Sequence, residues 1–173
     1  MLRCLALALL VTLSACVAAP ADRTPAPAPE PAPPPPPPAP APPANWQDLP
    51  VTPGDWRYQV EQGIPTAVFG PAGGQVRLMV ACIPSTRTVR FTLRPASADA
   101  RTLSFMTSAG TSALVARPAP EAGAVVAETR AADRLLDRIV FSRGHFAVAA
   151  GPEPALMLPT WPEVARVVEE CRG

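Results

Sequence analysis

The chain has 173 residues, 26 of them proline, with 15 basic and 14 acidic side chains, one histidine and a formal net charge of +1. So even a balance excludes nucleic acid as the main partner, because such domains are strongly basic. One histidine and four cysteines leave no spaced ligand set for zinc, so neither a metal nor a cofactor is expected.

The N-terminus opens with Arg3 and an apolar run from Leu5 to Val11, and it closes on Leu13-Ser14-Ala15-Cys16. That run is too short to span a bilayer, which needs roughly 20 apolar residues. A short apolar core followed by small residues is a secretory signal, outside the fold proper. An ordinary signal would be cleaved near Ala18-Ala19 and leave no lipid, but the final tetrapeptide resembles the lipobox of bacterial lipoproteins. That resemblance implies a diacylglyceryl thioether at Cys16, cleavage before it and usually a third acyl chain. Two or more chains anchor a protein stably, which makes the membrane its first partner. Val17 in place of an aspartate favours the outer membrane, facing the periplasm, with surface display as the alternative. Residues 1–15 are thus read as signal and 16–44 as lipidated cysteine and linker. Residues 45–173 are read as a β-rich globular domain.

Between Pro20 and Pro43 more than half the residues are proline, with Pro33 to Pro38 unbroken. Proline lacks an amide donor and has a fixed φ, so the tract is expected to be disordered with respect to helix and sheet. As extended polyproline II at about 3.1 Å per residue it is a semi-rigid spacer of roughly 80 Å. A ligand for an aromatic groove is the competing reading.

Period-two alternation then marks strands. Trp56, Tyr58 and Val60 alternate with Arg57 and Gln59. Val76, Leu78, Val80 and Cys82 share a face opposite Arg77, Met79 and Ala81. Past a turn at Pro84-Ser85, Val89, Phe91 and Leu93 face inward, and Thr88, Arg90, Thr92 and Arg94 face outward. These two runs predict an antiparallel hairpin. Further strands are expected at 66–69, 102–107, 112–116, 124–128, 146–150 and 155–158. The fold class is therefore mainly β, a small antiparallel sandwich or barrel. Two segments instead carry helical spacing. The first is 133–141, through Leu135, Leu136, Ile139 and Val140. The second presents Val164, Val167, Val168 and Cys171 on one face, after a Thr160–Glu163 capping box with Pro162 in the first turn.

Cys4 lies in the signal, which leaves Cys82 and Cys171 in the exported part. An even pair in an oxidising compartment is most simply a disulfide. It would pin the C-terminal helix to the sheet and close a loop worth roughly 4.5 kcal/mol of chain entropy. The rival is a free thiol nucleophile with His145 as its base.

Other candidate chemistry has a plainer reading beside it. Ser142 and His145 flank a tight turn at Gly144, but no third group or oxyanion hole is visible for a small hydrolase. Asp133 and Asp137 each follow an arginine by three residues (Arg130 and Arg134), the pattern of a salt-bridged helix face rather than paired acids. Arg77, Arg90 and Arg94 share the outer face of the hairpin, and with Arg143 and His145 they form the candidate surface for an anionic partner. The absence of lysine makes arginine usage a coding bias as well. Trp46, Trp56 and Trp161 could line a groove, although core packing suits Trp56 and a plug over the helix start suits Trp161.

Three phrases together resemble a family of uncharacterised alphaproteobacterial envelope proteins. They are Pro53-Gly54-Asp55-Trp56-Arg57-Tyr58, the run from Leu135 to Gly144, and Leu158-Pro159-Thr160-Trp161-Pro162-Glu163 leading to Glu170-Cys171-Arg172. That family supplies no activity to carry over. Thr107-Ser108-Ala109-Gly110-Thr111 and Phe141-Ser142-Arg143-Gly144 also resemble two loops of the membrane-bound inhibitors of c-type lysozyme. Those inhibitors have an aromatic and a basic residue near the first loop, which this chain lacks, and no such terminal helix. The function expected is non-catalytic binding or a structural role at the envelope. The partner would be another envelope protein or an anionic wall or outer-membrane polymer. A lysozyme-inhibitor-like role and a small hydrolase are the alternatives.

Overall fold

The computed structural model describes residues 46–173; the predicted signal, Cys16 and the proline-rich linker lie outside the described residues. After a 3-10 turn at Trp46–Asp48 come four strands: β1 (Asp55–Glu61), β2 (Ile64–Gly70), β3 (Leu78–Ile83) and β4 (Thr88–Leu93). Then follow β5 (Thr102–Thr107), β6 (Gly110–Pro118) and β7 (Val125–Arg130), helix α1 (Arg134–Val140), β8 (His145–Ala149), β9 (Leu156–Pro159) and helix α2 (Pro162–Arg172). The strands make one antiparallel sheet in the order β1-β2-β3-β4-β7-β6-β5-β8-β9.

The predicted hairpin is β3–β4, with Val80 opposite Phe91 and Cys82 opposite Val89. Its alternation arises because one face is buried and the other is not: Leu78, Val80, Cys82, Val89, Phe91 and Leu93 all point inward. The sheet changes direction at β6. Residues 110–115 pair with β5, and residues 116–118 pair with β7. Two half-sheets thereby face one core, in which Phe91 of one half meets Phe105 of the other with ring centroids 4.8 Å apart. The segment before β1 and the Trp56 side chain also reach β9: the Thr52 amide donates to Met157 O at 2.9 Å, and Trp56 Nε1 donates to Pro159 O at 3.0 Å. The sandwich and barrel readings are thus reconciled in one curled sheet.

Helix α2 covers the inner face of β1, β2 and β3, burying Val164, Val167, Val168 and Cys171 as its spacing predicted. Cys82 and Cys171 are disulfide-bonded, with Cα atoms 5.4 Å apart and a sequence separation of 89. The outer face of the β5-β8-β9 half is also covered, because Trp46 and Ala155 pack over Met106, Ala147, Ala149 and Met157.

Three local expectations are corrected. No capping box forms at α2: Trp161 is the N-cap and makes no side-chain cap bond. Thr160 stands one residue too early, its amide extending the β8–β9 ladder to Gly144 O at 3.2 Å. At α1 the two aspartates do not pair with the arginines that precede them. Asp133 is the N-cap, taking the Leu135 amide at 2.8 Å and the Thr129 hydroxyl at 2.5 Å, while Asp137 binds Arg172 Nη2 of α2 at 2.7 Å. Finally, Val60 continues the inward face of β1 in sequence yet is 58% exposed.

Candidate binding surface

Among the described residues the outer face of β2, β3, β4 and β7 is left open. It forms a trough of about 940 Å³ floored by Thr66, Met79, Ala81, Thr92 and Val126. The β1–β2 turn makes one wall, and the segment from Pro118 to Glu121 makes the other. Gln62 and Gly63, with φ of 50° and 79°, form the two-residue turn whose twist suits a hairpin.

Strand register brings the polar side chains together. Arg90 lies directly opposite Glu128, and Arg117 lies opposite Val126, two residues from Glu128. One carboxylate oxygen, Glu128 Oε1, consequently accepts from Arg90 Nε at 2.7 Å and from Arg117 Nη2 at 3.2 Å. Arg94 reaches Glu121 at 3.4 Å. The Arg77 carbonyl accepts the Arg94 amide at 2.7 Å, which keeps Arg77 beside Arg94 in the register of this face. The Arg90, Arg94 and Arg117 guanidinium groups are each paired with a carboxylate, which offsets their charge.

Arg143 and His145 do not join them. His145 begins β8 on the other half-sheet, with its ring edge-on to Trp46 at 5.3 Å. Among the described residues its Nε2 is buried without a hydrogen-bond partner. Arg143 lies in the turn before β8, where its amide donates to Ser108 Oγ at 3.0 Å. Ser142 Oγ in turn accepts the Ser108 amide at 3.0 Å and donates to the His145 carbonyl at 2.8 Å. The serine hydroxyl is thus engaged by main chain, not by the imidazole, and no nucleophile–base pair is assembled there.

The three tryptophans do not share a groove. Trp56 is inside, 5.3 Å from the Phe69 ring, while Trp46 is outside on β8 and Trp161 stands 41% exposed at the start of α2. Among the described residues no group of three His, Cys, Asp or Glu could hold a metal, and no helix is long and apolar enough to cross a membrane. Arg117, Glu121 and Glu128 were not singled out from sequence, since their proximity to Arg90 and Arg94 follows from strand order alone. No family model, curated protein or solved structure matches the chain.

Proposed function

We propose that this is a lipid-anchored envelope protein whose β domain works by binding, and that the trough is where another envelope protein docks. The observation that carries this reading is the Arg90–Glu128–Arg117 cluster on an open sheet face. Paired charges of both signs match a protein surface better than a uniformly anionic polymer, which would meet Glu61 and Glu121 as well as the arginines. Arginines are also frequent interface anchors. The anchor rests on the lipobox at Cys16. Cys16→Ala is expected to move the protein out of the membrane fraction. A photo-crosslinking residue in place of Thr92 is expected to capture one partner in cells, and Arg90→Glu with Arg117→Glu to abolish that adduct. Equal capture from the exposed Ala113 on β6, or adducts indifferent to charge reversal, would overturn the trough as the docking site.

A second reading, inhibition of a muralytic enzyme, is favoured by one observation. The two loops that resemble those of lysozyme inhibitors are bound reciprocally through Ser108 and Ser142, beside a 78% exposed Phe141. A c-type lysozyme assay tests it. Inhibition that is lost in Phe141→Ala, with trough variants unaffected, would favour this reading over the first.

A further inference from the structure

Among the described residues β1 ends the sheet and pairs on one side only, with β2. The Gln62-Gly63 turn is closed by the facing residues Glu61 and Ile64. In a two-residue hairpin that closing pair exchanges backbone hydrogen bonds. By the alternation of an antiparallel ladder, Gln59 and Arg57 then also direct their amides to β2, while Tyr58 and Val60 direct theirs to the open edge. The same parity holds one strand further on, where the Phe69 carbonyl faces away from β1 and accepts the Arg77 amide at 2.7 Å.

The side chains along this edge read the same way under a twofold operation. With Gln59 as centre, antiparallel pairing with an identical strand sets Arg57 opposite Glu61 twice on one face. It sets Tyr58 opposite Val60 twice on the other. Arg57 and Glu61 are both exposed, and Val60 is the 58% exposed apolar residue that α2 leaves uncovered. An open strand edge of this kind invites pairing, and proteins usually guard it with proline, a bulge or an inward charge. None of these stands between Arg57 and Glu61.

We infer that β1 is a homodimerisation edge, joining antiparallel to β1 of a second copy about a twofold axis at Gln59. The interface is isologous, so each copy contributes the same residues. Tyr58 and Val60 supply the inter-chain backbone bonds, and opposite charges face each other at both ends. The two sheets become one, and two membrane arms serve one assembly. The dimer rests on the strand edge alone, although Glu61 also lines the trough.

The geometry permits a direct test in the full-length anchored protein. Facing residues in a non-hydrogen-bonded pair have Cα atoms about 4.5 Å apart, within reach of a disulfide. Gln59→Cys is therefore expected to give a covalent dimer under oxidising conditions, seen on a non-reducing gel. Asp55→Cys, whose two copies lie roughly 27 Å apart at about 3.4 Å per residue, is expected to stay monomeric. In the Gln59→Cys background, Arg57→Glu places like charges opposite each other and should lower the dimer about tenfold, with Glu61→Arg added to it restoring the dimer. The inference is overturned if folded Gln59→Cys stays monomeric, if Asp55→Cys dimerises as well, or if the double charge swap gives no rescue.

Discussion

Tyr58 on β1 donates its hydroxyl to Glu170 Oε2 of α2 at 2.7 Å, so the edge strand and the C-terminal helix share a polar contact outside the core. Arg166 completes it, with its guanidinium carbon 3.8 Å from the Tyr58 ring centre and its Nε donating to Glu170 Oε1 at 2.9 Å. The bond to Glu170, with some burial behind it, raises the Tyr58 pKa above the ordinary tyrosine value. The Tyr58 hydroxyl, followed by the Arg166 hydrogen bond, holds Glu170 below the ordinary carboxylate value.

The chain has a single tyrosine, so ultraviolet titration reports Tyr58 alone. Its midpoint is expected above the ordinary value of about 10 and lower in Glu170→Gln, where the acceptor is no longer charged. The sign for stability follows. The Tyr58 contribution is present below the unfolded pKa and lost as pH rises through the higher folded value. The Glu170 contribution is present above its unfolded pKa and lost as pH falls through the lower folded one. A wild-type midpoint at or below the ordinary value would refute the contact.

Asp133 governs part of the acid side in the same direction. The Leu135 amide first, and then the Thr129 hydroxyl, hold its carboxyl below the ordinary range. Its contribution is therefore present above the unfolded value of about 3.9 and fades as pH drops through the folded one. Asp133→Ala removes an N-cap and should cost about 1 kcal/mol, whereas Asp133→Asn keeps much of the cap. Urea unfolding at neutral pH distinguishes the two; equal losses would show that the charge, not the cap, is what matters.

Much of the fold was legible because half-buried strands advertise themselves. β4 alternates residue by residue, Leu78, Val80 and Cys82 of β3 share its inner face, and α2 carries its valines three and four apart. The trough was half legible: Arg90 and Arg94 were on the outer face by parity. Glu128 was not, since it meets Arg90 only because β7 rather than β5 lies beside β4. A pairing across 38 residues leaves no trace in local periodicity. The capping box failed for a different reason. Thr160 has the right spacing from Glu163, but Pro159 and Thr160 still belong to the β9 end of the ladder, so the helix begins one residue late.

Reducing the Cys82–Cys171 bond releases a loop with a sequence separation of 89. Loss of its constraint on the unfolded chain should lower stability by about 2–5 kcal/mol, as for other small domains. Denaturant midpoints with and without reductant measure this. An unchanged midpoint would mean that the packing of α2 suffices without the bond.

Ser142→Ala is expected to cost about 0.5–1.5 kcal/mol, because it removes the bond from the exposed Ser108 amide, which can turn to water. The more telling readout is hydrogen exchange at that amide. It should quicken selectively, with the β3–β4 ladder unchanged, as the hairpin tip at Ser108 comes loose from the loop before β8.

The place where the arm joins the domain has a mechanical consequence. Trp46 rests on His145, and Thr52 clasps Met157 through the two-way exchange of its amide and hydroxyl. A pull transmitted along the preceding chain is therefore borne first by these contacts on the outside of the sheet, not by the core or the disulfide. They can yield and re-form while the strand ladder and the core stay intact. Each residue so released adds about 3.5 Å of reach. The junction is thus a yielding coupling, whose first residues are drawn out before the sheet itself is loaded.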